Sequence, residues 1–245
     1  MIALDVSGAF QARQIVQTIG EAATTYKIGK QLFTAEGPQV VRDLVSSGRK
    51  VFLDLKFHDI PNTVAAAVKS AAELGVSMMT VHASGGSRML KAAVEAAAQS
   101  PLPVPRTGPA TAGVDRPAGP MILAVTVLTS LADSDLQELG ICGNVLSQVL
   151  RLGALARNAG CGGLVASAQE AQALRRDLGE DFAIVTPGIR PAGSATGDQA
   201  RVVTPKDAIT AGATHLVVGR PILEASDPAY AAAKIVQEIE EALGS

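Results

Sequence analysis

The sequence is short of cysteine: Cys142 and Cys161 are the only two in 245 residues. Two thiols cannot build a disulfide framework, and with no leader-like start the expected setting is reducing and cytoplasmic. Charge of one sign is lacking too. Lys plus Arg number 21 against 23 Asp plus Glu, a net charge of −2, which supplies no broad basic field for nucleic acid or an acidic membrane surface. Any anion must therefore be bound locally. No apolar run approaches the ~18 residues of a membrane span. Histidine is scarce as well: His58, His82 and His215, with scattered carboxylates around them, offer no metal trio, so neither a metal nor another cofactor is expected.

What is present is a regular alternation. Short β-rich runs at residues 2–6, 25–30, 50–56, 78–82, 121–128, 163–167, 182–186 and 215–218 are separated by Ala-rich amphipathic stretches such as "TVAAAVKSAAELG" and "SRMLKAAVEAAAQ". Gly20, Gly75 and Gly212 fall where helix C-termini are expected. Helix following strand throughout predicts an α/β chain with right-handed crossovers. Eight such units in one domain are the size of a (β/α)₈ TIM barrel with eight parallel strands. A doubly wound open sheet is the alternative, disfavoured because "LDVSGAF" stands after the first strand where a G-x-G-x-x-G fingerprint would be.

One stretch breaks the rhythm. Residues 101–120, "PLPVPRTGPATAGVDRPAGP", hold six of the 13 prolines and read as an extended loop. Following a helix and preceding the fifth strand, this insertion belongs at the N-terminal face of a barrel, away from the catalytic loops.

The third strand carries the chemistry. In "KVFLDLKFHDIPNTV" alternation puts Phe52, Asp54 and Lys56 on one face and Val51, Leu53 and Leu55 on the other. The apolar set suits packing under helices, so Asp54 and Lys56 point into the barrel at its C-terminal end, with Asp59 just beyond. A structural ion pair filling the barrel mouth is the bland reading. Lys27 in "YKIGK", on the neighbouring second strand, makes an alternating Lys–Asp–Lys–Asp array possible, and Asp5 in "ALDVS" adds a carboxylate at the same face. "VTPGIRPAG" after the seventh strand and "VVGRPI" closing the eighth stand where such barrels hold phosphate: backbone N–H groups around Gly188 and Gly219, with Arg220, could grip a dianion.

In order along the chain, "ALDV", "YKIG", "FLDLKFHDIPNTV", "AVTVLTS", "VTPGIR" and "VVGRPI" resemble the bacterial orotidine 5′-phosphate decarboxylases, the Asp-x-Lys-x-x-Asp core being the most specific element. The resemblance implies decarboxylation of orotidine 5′-monophosphate to uridine 5′-monophosphate in pyrimidine biosynthesis, without a cofactor. It implies that Lys56 protonates C6, that Asp54 faces the substrate carboxylate, and that Lys27 and Asp59 complete the array. It implies a homodimer with shared sites, in which Asp59, Ile60 and Thr63 serve the partner. Asp5 and Lys27 would meet the ribose, Thr129 the pyrimidine, and Arg190, Gln199, Gly219 and Arg220 the phosphate, with residues 190–203 as a closing lid.

Two rivals stand beside it. One is a metal-dependent sugar-phosphate decarboxylase or synthase with the same strand motif, against which "HDIPNTV" and "VTVLTS" speak. The other is a catalytically silent nucleotide-binding barrel, which gains nothing obvious from burying Lys27, Asp54, Lys56 and Asp59 together. His58 reads as a polar loop residue, His82 as an orienting or packing group at the end of the fourth strand, and both cysteines as small buried apolar residues.

Overall fold

The computed structural model describes residues 1–100, 119–191 and 203–244. Eight strands form in the places that the alternation predicts: β1 Ile2–Ala3, β2 Thr25–Gly29, β3 Lys50–Phe57, β4 Met78–His82, β5 Met121–Val125, β6 Gly163–Val165, β7 Ala183–Thr186 and β8 His215–Leu216. All pair in parallel, in sequence order. A bridge between Ile2 and Val218 brings the last strand back to the first, with the Ala3 N–H donating to the Val218 carbonyl at 2.8 Å and the Val218 N–H to Met1 at 3.0 Å. The sheet thus curls into the TIM-barrel-like α/β fold, and the open-sheet alternative falls away. Several strands are shorter than expected. β1 stops at Ala3 and β5 at Val125, so Asp5 stands in the loop after β1 rather than on the strand, and Thr129 lies further beyond β5 than expected.

Alternation along each strand separates two cores. The outward set, including Leu4, Ile28, Val51, Leu53, Met79 and Leu164, is buried beneath the helices, where each fully buried Val, Leu or Ile contributes about 1.5–3 kcal/mol. Prominent among the covering helices are α1 (Ala9–Ile19), α2 (Lys30–Glu36), α3 (Gln39–Ser46), α4 (Pro61–Ala72) and α5 (Gly86–Ala98). Gly20, Gly75 and Gly212 all take positive φ just beyond helices, as expected. The inward set is smaller: Ala3, Phe52, Met78, Leu123, Ala183, Val185 and Val217 make an apolar plug inside the barrel. Two residues further along the same inward faces come Asp5 after Ala3, Asp54 after Phe52, and Thr80 after Met78. The barrel interior therefore changes from apolar to charged within one step of ~6.6 Å toward its C-terminal mouth.

The expected insertion at 101–120 lies outside the described residues, apart from Gly119 and Pro120. Its two ends meet: a side chain on Gly119 would collide with the carbonyl of Ala97 and crowd that of Ser100. This junction sits between α5 and the N-terminal end of β5. The cysteine expectation needs correction. Cys161 is buried, and burial pushes its thiol up to about 12, but Cys142 is exposed, because it stands in the loop before the helix Val145–Asn158 and not on a packed face.

Candidate active site

Four charges form a continuous chain across the barrel mouth. Lys27 donates from Nζ to Asp5 Oδ1 at 2.9 Å and stands 3.9 Å from Asp54 Oδ2. The Lys56 ammonium reaches both oxygens of Asp54 at 2.8 Å. The side chains of Lys27, Asp54 and Lys56 retain 11%, 14% and 25% of their surface, so the two Asp54 pairs sit largely out of water, while Asp5 at 52% faces solvent.

The backbone is shaped to deliver them. Leu53 pairs with Met79 and Phe57 with Val81, so residues 54–56 of β3 bulge opposite the single residue Thr80 of β4. Lys56 lies within that bulge at φ +55, the only non-glycine residue with positive φ among the described residues. A bulge re-aims a side chain, and holding a lysine in this region costs about 1–3 kcal/mol. Opposite unit charges 4 Å apart attract by about 4 kcal/mol at an effective dielectric of ~20, so the bidentate contact with Asp54 opposes the strain, less the cost of drawing both charges out of water. The Lys56 N–H, displaced from the ladder, donates to Thr80 Oγ1 at 2.8 Å, and Thr80 donates to Asp54 Oδ1 at 3.0 Å.

Gly29 makes the Lys27 position possible. It pairs with Asp54 across β2 and β3, and a Cβ there would lie 2.9 Å from Lys27 Nζ and 3.3 Å from Asp5 Oδ1. Asp59 behaves differently from the other carboxylates. It is exposed, accepts the Ile60 N–H at 2.6 Å, and joins no ion pair among the described residues. Ile60 beside it is 67% exposed, and Thr63 is exposed on the first turn of α4.

The matching family model, described as "Orotidine 5'-phosphate decarboxylase / HUMPS family", covers residues 1–235. The chain belongs to this family. Among its relatives, orotidine 5′-phosphate decarboxylase from Idiomarina loihiensis is 50% identical over 240 residues, 98% of this chain and 97% of the relative. The protein of the same name from Vibrio campbellii is 47% identical over 245 residues, 100% and 97% of the two chains. The crystal structure of orotidine 5′-phosphate decarboxylase from Lactobacillus acidophilus matches with a TM-score of 0.82 at 39% identity, covering 97% of each chain.

In this member of the orotidine 5′-phosphate decarboxylase / HUMPS family, three of the four residues expected at the phosphate end, Arg190, Gly219 and Arg220, follow β7 and β8. Gly219 follows β8 closely enough to β1 that a Cβ would lie 3.7 Å from Asp5 Oδ2, and Arg220 opens the short helix Arg220–Leu223. Arg190 is buried and donates to the Ile189 carbonyl at 3.1 Å. Ile189 bridges to Val203, which ties together the two ends of the expected lid. Gln199 and the rest of that lid, residues 192–202, lie outside the described residues. Thr129 is half-buried in the turn after β5.

His82 ends β4 with its ring 5.4 Å from that of His58. Burial first, then the nearby His58, Lys56 and Lys30 charges, lower its pKa, with Asp54 opposing. Among the described residues no group of three or more His, Cys, Asp or Glu converges as a metal site, and no helix is long and apolar enough to cross a membrane. The sequence reading passed over Thr80 and Gly29. Thr80 could have been found as the polar residue on the inward face of β4, two positions before His82, and Gly29 as the side-chain-free neighbour of Asp54.

Proposed function

We propose that this site decarboxylates orotidine 5′-monophosphate to uridine 5′-monophosphate, the carboxy-lyase step of pyrimidine biosynthesis, with Lys56 as the proton donor. The observation that carries the proposal is the Asp5–Lys27–Asp54–Lys56 chain at the barrel mouth, with the loop after β8 beside its Asp5 end. In the reaction the bond from C6 to the carboxylate breaks, the electron pair stays on C6, and carbon dioxide leaves neutral. A proton passes from Lys56 Nζ to C6. The charges are matched to that course, since an ammonium held in place, largely out of water, stabilises a developing carbanion without having to reorganise. Asp54 would face the departing carboxylate and keep Lys56 aimed.

Asp59 completes the array from a second copy of the chain. Its lack of an ion pair among the described residues and the exposure of Ile60 and Thr63 support this reading: these three groups would cross a two-fold interface and serve the partner's site. With the partner subunit's Asp59 in place, Lys27, Asp54, Lys56 and the partner's Asp59 would set two ammonium and two carboxylate groups around the pyrimidine, with Asp5 a third carboxylate on the ribose side. Asp5 and Lys27 would hold the ribose, Thr129 the base, and Arg190, Gln199, Gly219 and Arg220 the phosphate. Binding energy from that remote phosphate would then be realised in closure of residues 190–203 over the site.

The family description also names the HUMPS branch, and a metal-dependent sugar-phosphate reaction is the second reading. Against it, both oxygens of Asp54 are engaged by the Lys56 ammonium, which leaves a divalent ion to compete with a cation already in contact. The deciding experiment incubates chelator-treated protein with orotidine 5′-monophosphate and follows loss of orotate absorbance. Full turnover in excess chelator is expected. Turnover that appears only on adding magnesium would transfer the chain to the second reading, and none under either condition would leave the silent nucleotide-binding barrel.

A further inference from the structure

We propose that Thr80 is a positioning residue for the reaction, holding Asp54 and Lys56 in register through one hydroxyl. The proposal rests on the reading of Lys56 as proton donor. Thr80 is fully buried on the inward face of β4, and its Oγ1 sits between two groups of the same pair: it accepts the Lys56 N–H at 2.8 Å and lies 3.0 Å from Asp54 Oδ1.

The direction of both bonds follows from the chemistry of the partners. A backbone N–H only donates, so Thr80 Oγ1 must accept from Lys56. A carboxylate beside two ammonium groups offers only lone pairs, so the Thr80 proton points to Asp54. The arrangement also explains how the bulge is tolerated. Three residues of β3 face one residue of β4, and the Lys56 amide has lost its place in the ladder. Buried backbone donors need a partner, and the hydroxyl is the group that supplies it.

A single buried side chain therefore links the left-handed backbone of Lys56 to the carboxylate that orients the Lys56 ammonium. Without the hydroxyl, the Lys56 amide and Asp54 Oδ1 each lose a bond, and the ammonium is free to shift along the barrel mouth. Displacements of about 1 Å at a reacting group cost up to ~100-fold in rate. Arg190, Gly219 and Arg220, proposed for the phosphate end, follow β7 and β8, so nucleotide binding should be spared.

The test compares Thr80→Val, which keeps the shape and removes the hydroxyl, with Thr80→Ser, which keeps the hydroxyl. Thr80→Val is expected to lower kcat by about 10–100-fold, with KM and uridine 5′-monophosphate affinity within about threefold of wild type. Thr80→Ser should return kcat to within about threefold. The proposal is overturned if Thr80→Val keeps kcat within twofold, if Thr80→Ser is as impaired as Thr80→Val, or if kcat and nucleotide affinity fall together. Should Thr80→Val fail to fold, Thr80→Ala against Thr80→Ser carries the same comparison. A crystal structure of the hydroxyl-free variant reads the positioning role apart from the activity. A Lys56 moved out of positive φ or away from Asp54 supports it, and an unmoved pair overturns it even if wild type proves inactive on orotidine 5′-monophosphate. Wild-type turnover, measured first, tests the activity itself.

Discussion

Two residues apart on one strand, Lys56 and Asp54 are joined by an ammonium that stands 2.8 Å from each carboxylate oxygen. On a regular strand, residues i and i+2 point the same way with their Cα atoms about 6.6 Å apart. Here the bulge and the positive φ of Lys56 turn that parallel arrangement into a chelate. Lys56→Ala removes the proposed donor and leaves the proposed phosphate end untouched. Its turnover should fall at least ~100-fold, as loss of a general acid does, while uridine 5′-monophosphate still binds. A variant keeping more than about a hundredth of wild-type kcat would contradict the assignment.

Asp59 gives a test of sharing between subunits. Lys56→Ala and Asp59→Ala, each nearly inactive alone, are mixed under conditions that exchange subunits. If Asp59 reaches across a two-fold interface, one site of each heterodimer is intact and the other carries both lesions. Equal mixing should restore roughly a quarter of wild-type activity. No recovery, with exchange verified by mass-tagged subunits, would place both residues in the same chain's site.

Gly29→Ala asks whether the space above Asp54 matters. The added Cβ would lie 2.9 Å from Lys27 Nζ, and the flexible lysine can yield, so the fold should survive with a Tm within a few degrees. Lys27 would be pushed off Asp5 and Asp54, and kcat/KM should drop by about 10-fold or more. Unchanged kcat/KM in a folded variant would show that Lys27 works from elsewhere.

Arg220→Ala tests the phosphate end. KM should rise, and kcat should fall with it if closure depends on phosphate binding. A kcat/KM equal to wild type would remove Arg220 from the site.

His82 predicts a pH effect on stability. Burial and the surrounding positive groups lower its pKa in the folded protein, so the unfolded chain binds the proton more readily. The sign follows: the contribution is fully present above the unfolded value of about 6.5 and is lost as pH falls from there through the folded value. Urea midpoints at about pH 7.5 and 5.5 should show wild type losing more stability than His82→Gln. Equal losses would mean that His82 is protonated as easily folded as unfolded.

Much of this architecture was legible in the chain. Strand positions followed from short β-rich runs between helical ones, and the period of two assigned Phe52 and Asp54 to one face and Val51 and Leu53 to the other. Lys27 could be placed beside Asp54 because sequential βα units put the second strand against the third. The bulge at residues 54–56 could not be read in this way, since it exists only where β3 and β4 fall out of register. Thr80 and Gly29 were overlooked for a related reason. Each matters through what lies across the sheet from it, which its own sequence neighbourhood does not show. Cys142 was misjudged because a loop position carries no periodicity from which to infer burial.

The sequence by itself determined the eight-unit α/β alternation, the inward placement of Asp54 and Lys56, and the glycines that end helices, because these depend on local propensity and on the fixed periods of strand and helix. The tertiary structure decided the rest. It set the left-handed backbone at Lys56, the hydroxyl of Thr80 that satisfies the displaced amide, and the reach of Lys27 over Gly29 to two carboxylates, Asp5 in the loop after β1 and Asp54 on β3. Those contacts join residues 22 to 27 positions apart, and their energies depend on distances of about 3 Å that only the closing of the barrel establishes.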